Sequence, residues 1–104
     1  MIDEKVRIRR NSQAAAHELG GSEGGVLLHL TSGQYHGVDS VGWAIWSLLD
    51  GSRDLGELVD ALRLQFPDAP GELDKDVRTF VQDLLERNLA EIIPQGPEEE
   101  TVIR

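Results

Sequence analysis

The hydrophobic period changes within residues 26–51, VLLHLTSGQYHGVDSVGWAIWSLLDG. Two short extended runs, Val26–Leu30 and Gln34–Val38, open this segment, and Thr31–Gly33 between them is typical of a tight turn. Dense apolar residues on both sides of such a turn indicate paired strands. The segment therefore predicts an antiparallel hairpin.

From Asp39 onwards, the apolar residues recur with the period of 3.6 that marks an amphipathic helix. Asp39 and Ser40 are residue types that favour the N-cap of a helix, and Asp50-Gly51 is typical of a helix end. The sequence thus predicts a first helix directly after the hairpin. Its apolar stripe consists of Val41, Ile45, Trp46, Leu48 and Leu49.

A second helix is predicted from Asp54 to Phe66. Asp54 and Glu57 have the spacing of a capping box, in which the side chain of each residue accepts a hydrogen bond from the backbone N–H of the other. Pro67 and Pro70 then interrupt the helical pattern, because proline lacks the N–H that a helix interior requires.

A third helix is predicted to begin near Pro70–Glu72. Asn88 suits its C-terminal cap, since asparagine tolerates the left-handed backbone conformation found there. After the helix, Ala90–Ile93 either adds a short strand or covers the core. An acidic tail over residues 94–104 shows no periodic pattern, and we expect it to be disordered.

The N-terminal segment predicts one more strand. Val6 and Ile8 alternate with basic residues, as expected for a half-exposed strand, and Asn11–His17 is a candidate continuation of it. The predicted class is α+β, with a three-stranded antiparallel sheet followed by three helices in a winged-helix-turn-helix-like arrangement. Residues 1–93 would form this single domain.

Composition limits the classes of function. The chain has 104 residues and a formal charge of −9 with neutral histidines, which suits one small acidic domain. It contains no cysteine, which excludes disulfides and thiolate metal sites and fits a reducing cytoplasm. No apolar run is long enough to span a membrane, so we expect no membrane partner.

A nucleic-acid partner is disfavoured by charge, although the predicted topology keeps a winged-helix transcription regulator as an alternative. The third helix would be the reading helix, and its five acidic residues outnumber its three basic ones. A phosphate backbone selects clustered lysine and arginine. The chain offers such a cluster only at Arg7, Arg9 and Arg10, on the first strand.

The sequence offers no catalytic group and no cofactor site. A two-residue loop at Ser32-Gly33 would place His29 opposite His36 as a two-ligand metal pair, but no spacing selects a third ligand, so we expect no metal. The glycine-rich segment Gly20–Gly25 lacks the Lys-Ser/Thr of a phosphate-binding loop. We therefore expect a non-enzymatic protein.

The segments described above resemble the PqqD-like family of peptide-recognition elements from ribosomal peptide natural-product pathways. The resemblance is carried by Val26–Leu30, by Ser32–Tyr35 and by the motif from Val38 to Gly51, which includes Gly42, Ile45 and Trp46. The leucine-rich helices continue it, and it covers roughly residues 5 to 93. Val38-Asp39 stands where the family often has Leu-Asn, and Asn88 stands where it often has glycine.

The resemblance implies a protein that binds the leader segment of a precursor peptide. In that family the leader adds an antiparallel strand to the third strand of the sheet, beside helix three. Stand-alone members of this size resemble those of lasso peptide pathways, which recognise leaders with a Tyr-x-x-Pro-x-Leu pattern. They present the precursor to a separate leader peptidase, and an ATP-dependent cyclase is a further candidate partner. A PqqD-like peptide chaperone for a radical-enzyme pathway is the alternative within the same family.

Mapping this binding mode onto the chain gives a set of predicted leader-binding residues. On the pairing strand they are Gln34, Tyr35, His36, Gly37, Val38 and Asp39, and on helix three they are Asp74, Val77, Arg78, Val81 and Leu85. We expect the apolar helix residues to receive leader side chains and Arg78 to meet a leader carboxylate. Core packing is the competing explanation for the apolar positions.

Overall fold

The computed structural model describes residues 5–20, 23–68 and 71–93, in which six strands and three helices are present. The strands are β1 (Arg7–Arg10), β2 (Ala14–Glu18), β3 (Gly25–His29), β4 (Tyr35–Val38), β5 (Asp50–Asp54) and β6 (Ala90–Ile93). The helices are α1 (Ser40–Ser47), α2 (Leu55–Gln65) and α3 (Leu73–Glu86). The α+β class and the three helices are confirmed. The predicted tail, residues 94–104, lies outside the described residues.

The described strands form two three-stranded antiparallel sheets. The first sheet has the order β5-β1-β6, and the second sheet has the order β2-β3-β4. The sequence predicted a single sheet built from the first strand and the hairpin. In the structure, the hairpin strands β3 and β4 pair with β2, and β1 belongs to the first sheet.

A turn at Asn11 separates β1 from β2, so the prediction of one continuous strand was wrong. The N–H of Gln13 donates to the Asn11 side-chain oxygen at 2.8 Å, and the N–H of Ala14 donates to the Asn11 carbonyl at 3.0 Å. Such asparagine turns compete with strand pairing. The chain therefore leaves the first sheet at Arg10 and enters the second at Ala14.

The hairpin register also differs from the prediction. His36 lies opposite Leu27 and Tyr35 lies opposite Leu28, so the two histidines are not neighbours across the sheet. The loop is longer than two residues because Ser32 folds back and its N–H donates to Nδ1 of His29 at 3.3 Å. In the described residues, no group of three or more potential metal-ligating side chains is placed to hold an ion.

Strand β5 was not predicted, because its polar residues show no alternating apolar pattern. It pairs with β1 at one edge of the first sheet, and Gly51 at its start adopts a φ of 86°, in the left-handed region. Asp50 accepts hydrogen bonds from the Ser52 hydroxyl at 2.6 Å and the Ser52 N–H at 2.9 Å. Both bonds hold the pKa of the Asp50 carboxyl below its usual range.

The predicted helix caps are confirmed. The Asp39 carboxylate accepts a hydrogen bond from the Gly42 N–H at 2.8 Å at the start of α1. Asp54 and Glu57 form both bonds of the capping box of α2. Helix α1 ends earlier than predicted, at Ser47, because β5 begins at Asp50.

The core lies where the three helices pack on one another and on both sheets. Leu27 of β3, Leu62 of α2 and Val77 and Val81 of α3 have no accessible surface. Arg10 links the first sheet to α1, since its Nη1 donates to the Trp46 and Ser47 carbonyls. No helix in the described ranges is long and apolar enough to cross a membrane.

We predict that Asn88 stabilises the end of α3 through its left-handed conformation, at a φ of 61°. There the N–H of Leu89 donates to the Leu84 carbonyl at 2.9 Å, as in a Schellman motif, and Leu89 becomes fully buried. Asn88→Gly should keep or raise the free energy of unfolding in urea, whereas Asn88→Ala should lower it by about 1 kcal/mol relative to glycine. Equal stability of the two variants would contradict this role.

Candidate functional site

The outer edge of β4 is unpaired in the described part of the chain. β4 pairs with β3 on one side, and no described strand lies beyond it. The free edge of a sheet presents backbone N–H and C=O groups that can pair with another extended chain. This edge is the first element of the candidate site.

The residues of β4 that direct their backbone groups outward can be assigned from the hairpin. The N–H of His29 donates to the Gln34 carbonyl at 3.0 Å, so Gln34 directs its carbonyl towards β3. In an antiparallel ladder this direction alternates with each residue. Tyr35 and Gly37 therefore direct their N–H and C=O groups to the free edge.

The side chains of β4 alternate between the two faces of the sheet. His36 lies opposite the fully buried Leu27, so His36 and Val38 share the face that packs on the core. Both residues are half-buried. Tyr35 lies on the other face, and 71% of its surface is exposed.

Helix α3 runs antiparallel to β4 and lies beside it, on the side of the sheet that carries His36 and Val38. Nη1 of Arg87, the C-cap residue of α3, lies 3.5 Å from Nε2 of His36. At the other end of β4, a Cβ placed on Gly42 would lie 3.3 Å from Cε1 of Phe80 and 3.1 Å from Cβ of Val38. The edge of β4 and the helix thus border one groove.

The side of α3 that faces this groove follows from helical periodicity. At about 100° per residue, positions 76, 80, 83 and 87 fall within about 60° of one another. We call Asp76, Phe80, Asp83 and Arg87 the groove stripe. Asp83 fixes Arg87, whose Nε lies 3.0 Å from both oxygens of the carboxylate.

The groove opens into a cleft where β4 ends. The cleft has a volume of about 650 Å³ and lies between the start of α1, the end of α2 and the first half of α3. Its apolar lining consists of Val41, Gly42, Ile45, Phe66, Pro67, Leu73, Val77 and Phe80. Gln65 and the three acidic residues Asp39, Asp68 and Asp76 complete the described lining, which contains no lysine or arginine.

Gly24 fixes the position of the end of β4, a role that the sequence analysis missed. Its φ is 83°, and a Cβ at this position would lie 2.0 Å from the Val38 carbonyl oxygen and 2.6 Å from the carbonyl carbon of Asp39. Only glycine permits this close approach. A run of glycines gives no sign of which one has a structural role, so the sequence could not single out Gly24.

The structure places the predicted strand residues at the free edge and four of the five predicted helix residues on the other side of α3 from the groove stripe. Gln34 and Asp39 flank β4, which contains Tyr35, His36, Gly37 and Val38. On α3, positions 74, 78, 81 and 85 lie on nearly the opposite side of the helix from the groove stripe, at about 100° per residue. The predicted helix residues are Asp74, Val77, Arg78, Val81 and Leu85.

The contacts of these helix residues are internal. Val77 and Val81 have no accessible surface and belong to the core, although Val77 borders the floor of the cleft. Nε of Arg78 lies 2.6 Å from the Asp74 carboxylate. Leu85 is half-buried against the core. The helix residues that border the groove are therefore those of the groove stripe, and leader contacts at the predicted helix residues stay a prediction.

Comparison with known proteins gives the class of this site. A solved structure titled "TbiB1 in Complex with the TbiA(beta) Leader Peptide" matches with a TM-score of 0.67 and 30% identity, covering 84% of this chain and 99% of that one. Fold and sequence together therefore place the chain in the class of PqqD-like proteins. The resemblance noted in the sequence is confirmed.

The chain belongs to the PqqD family. The family described as "Coenzyme PQQ synthesis protein D (PqqD)" matches residues 24–90. A PqqA binding protein of Pseudomonas paraeruginosa is 48% identical over 44 residues, which are 42% of this chain and 46% of that protein. A PqqA binding protein of Rhizobium meliloti is 39% identical over 56 residues, 54% of this chain and 57% of that protein. The chain spans about half the length of these curated relatives.

Proposed function

We propose that the chain is a non-catalytic protein that binds the leader segment of a ribosomally made precursor peptide as an antiparallel strand added to β4. The observation that carries the proposal is the edge of β4 that no strand pairs with in the described residues, which lies beside α3 and ends at an apolar cleft. Similar proteins support it, since TbiB1 is in complex with a leader peptide and the curated relatives are PqqA binding proteins.

Backbone pairing would supply only part of the binding free energy. Tyr35 and Gly37 together offer about four hydrogen bonds, each contributing about 0.5–1.5 kcal/mol net, so the edge contributes about 2–6 kcal/mol. Ordering a flexible leader costs about 1–2 kcal/mol per residue in backbone entropy. Five ordered residues would therefore cost as much as the strand pairing provides, or more.

Apolar side chains of the leader would supply the remainder. Each fully buried apolar side chain contributes about 1.5–3 kcal/mol. The cleft at the end of β4, with a volume of about 650 Å³, lies within the size range of ligand pockets, about 300–1,000 Å³. We therefore propose that one or two apolar leader residues enter this cleft while the adjoining residues pair with β4.

The family resemblance supports a place for this protein in lasso peptide biosynthesis. In that role it would bind a leader with a Tyr-x-x-Pro-x-Leu pattern and deliver the precursor to a separate leader peptidase, with an ATP-dependent cyclase as a further partner. The protein would supply binding and presentation, and the peptidase would supply the cleavage chemistry.

A second candidate is a peptide chaperone for a radical-enzyme pathway, which the matching family and the PqqA binding proteins favour. The same edge and cleft would serve both roles. Titrating the chain with a PqqA peptide and with a lasso leader separates them, because the cognate peptide should bind more tightly by at least about tenfold, or 1.4 kcal/mol.

A winged-helix transcription regulator is disfavoured by the contacts of the basic strand. Arg9 forms an ion pair with Glu91 on β6, and Arg10 caps the end of α1. Two of the three clustered arginines thus have internal partners, and the acidic α3 would repel a phosphate backbone.

We predict that Gly37→Pro abolishes leader binding without unfolding the chain. Proline removes the outward N–H and places its ring where an added strand must approach, whereas an edge strand tolerates proline at a position whose N–H faces outward. Affinity for the synthetic leader of a precursor peptide encoded next to this protein's gene (the neighbouring precursor), or for the TbiA(beta) leader, should fall at least about tenfold by calorimetry.

Gly37→Ala is the matched control for this change, because it keeps the N–H and its Cβ would meet nothing within 4 Å. The control should bind the leader as the native chain does, and both variants should keep the native urea midpoint. Strand addition to β4 would be refuted if Gly37→Pro, still folded, bound as tightly as Gly37→Ala.

We further predict that the two sides of α3 differ in leader binding. Phe80 lies on the groove stripe and lines the cleft, whereas Leu85 lies on the other side, and both are half-buried apolar residues of one helix. Phe80→Ala should lower leader affinity about tenfold, while Leu85→Ala should leave it unchanged although both lower stability. The opposite ranking would place the leader on the side of α3 that the sequence analysis favoured.

A further inference from the structure

We infer that the leader's N-terminal anchor is an apolar side chain next to a lysine or arginine, and that carboxylates at the cleft select this cation. The inference rests on the proposed addition of an antiparallel strand to β4. It goes further by assigning a direction and a charge pattern to the leader, which strand addition alone does not fix.

The direction follows from the arrangement of β4 and α3. An antiparallel strand on β4 places its N-terminal end beside Val38 and its C-terminal end beside Tyr35. The cleft begins at Asp39, directly after β4, and the contact between His36 and Arg87 marks the other end of the groove. Leader residues that precede the paired segment therefore meet the cleft.

The charge at the cleft is uniformly negative in the described residues. Asp39, Asp68 and Asp76 line it, and Asp68 and Asp76 are exposed without an ion-pair partner in the part of the chain that the structure describes. One oxygen of Asp39 accepts the hydrogen bond of the α1 cap. An apolar wall beside unpaired carboxylates fits an apolar side chain that has a cation next to it.

The opposite end of the groove has a different charge. Arg87 is paired there with Asp83 and lies beside His36. This end therefore presents the hydrogen-bond donors of Arg87, and the carboxylate of the groove stripe at this end, Asp83, is already paired. A cationic leader residue should therefore be favoured at the cleft and gain nothing beside Arg87. This asymmetry distinguishes the proposal from a general attraction between an acidic protein and a basic peptide.

The separation of the two ends sets the spacing expected in the leader. Asp76 and Arg87 are eleven positions apart along α3 and its cap, which corresponds to about 16 Å at 1.5 Å per residue. An extended chain covers that distance with about five residues at 3.3 Å each. Lysine should thus raise affinity at leader positions about five residues before those that lie beside Arg87.

A lysine scan of the leader tests the inference. Each position of the TbiA(beta) leader and of the neighbouring precursor's leader is replaced by lysine in turn, and Kd is measured at low and high salt for whichever binds the native chain. Substitutions just before the strand-paired segment should raise affinity about two- to fivefold at low salt, the range of an exposed ion pair. Lysine substitutions after the strand-paired segment should not raise affinity, and high salt should remove the gain seen before the segment.

The double variant Asp68→Asn/Asp76→Asn should lose the gain in affinity that a leader lysine gives. Asp60→Asn, an exposed acid on α2 that does not line the cleft, should keep it. The inference is overturned if lysine gains are equal on both sides of the segment, or persist in the double variant, while Gly37→Pro still abolishes binding. If no leader binds, or Gly37→Pro binds normally, the proposed function itself fails.

Discussion

The proposed leader binding depends on the hydrogen-bonding direction of β4. Gln34 is bound to β3 through its carbonyl, so Tyr35 and Gly37 must direct their backbone groups away from the sheet. In the interior of a sheet, such N–H and C=O groups would need hydrogen-bond partners from the same chain. Gly24 contributes from the other side of β4, because it permits the close approach that places Val38 and the start of α1.

Much of the fold could be predicted from local chemistry. The caps at Asp39, Asp54 and Asn88 use residue types whose preferences act within one turn, and all three were predicted correctly. Strand partners depend on distant segments. Strand β5 is polar, and it is a strand because it pairs with the distant β1. The turn at Asn11 separates β1 from β2, so that β2 belongs to a different sheet. Neither property leaves an apolar pattern in the sequence.

The sequence and the structure agree on the candidate strand and differ on which side of α3 borders the groove. The resemblance identified the strand within Gln34–Asp39, which the structure places at a free edge. Both sides of α3 flank the same buried stripe, so apolar periodicity alone cannot tell which one faces β4. The contacts of Phe80 and Arg87 resolve this, because Phe80 lies next to Gly42 at the start of α1 and Arg87 lies next to His36 of β4. Asp39, Asp68 and Asp76 line the cleft at one end of the groove, and Arg87 lies at the other end.

Amide hydrogen exchange along β4, followed by NMR with and without the leader, tests the strand-addition account most directly. In the free chain, the amides of His36 and Val38 should be protected by β3, and those of Tyr35 and Gly37 should exchange rapidly. Adding the leader should protect Tyr35 and Gly37. Protection that appears along β2 instead, or Tyr35 and Gly37 amides that stay unprotected in the complex, would contradict the account.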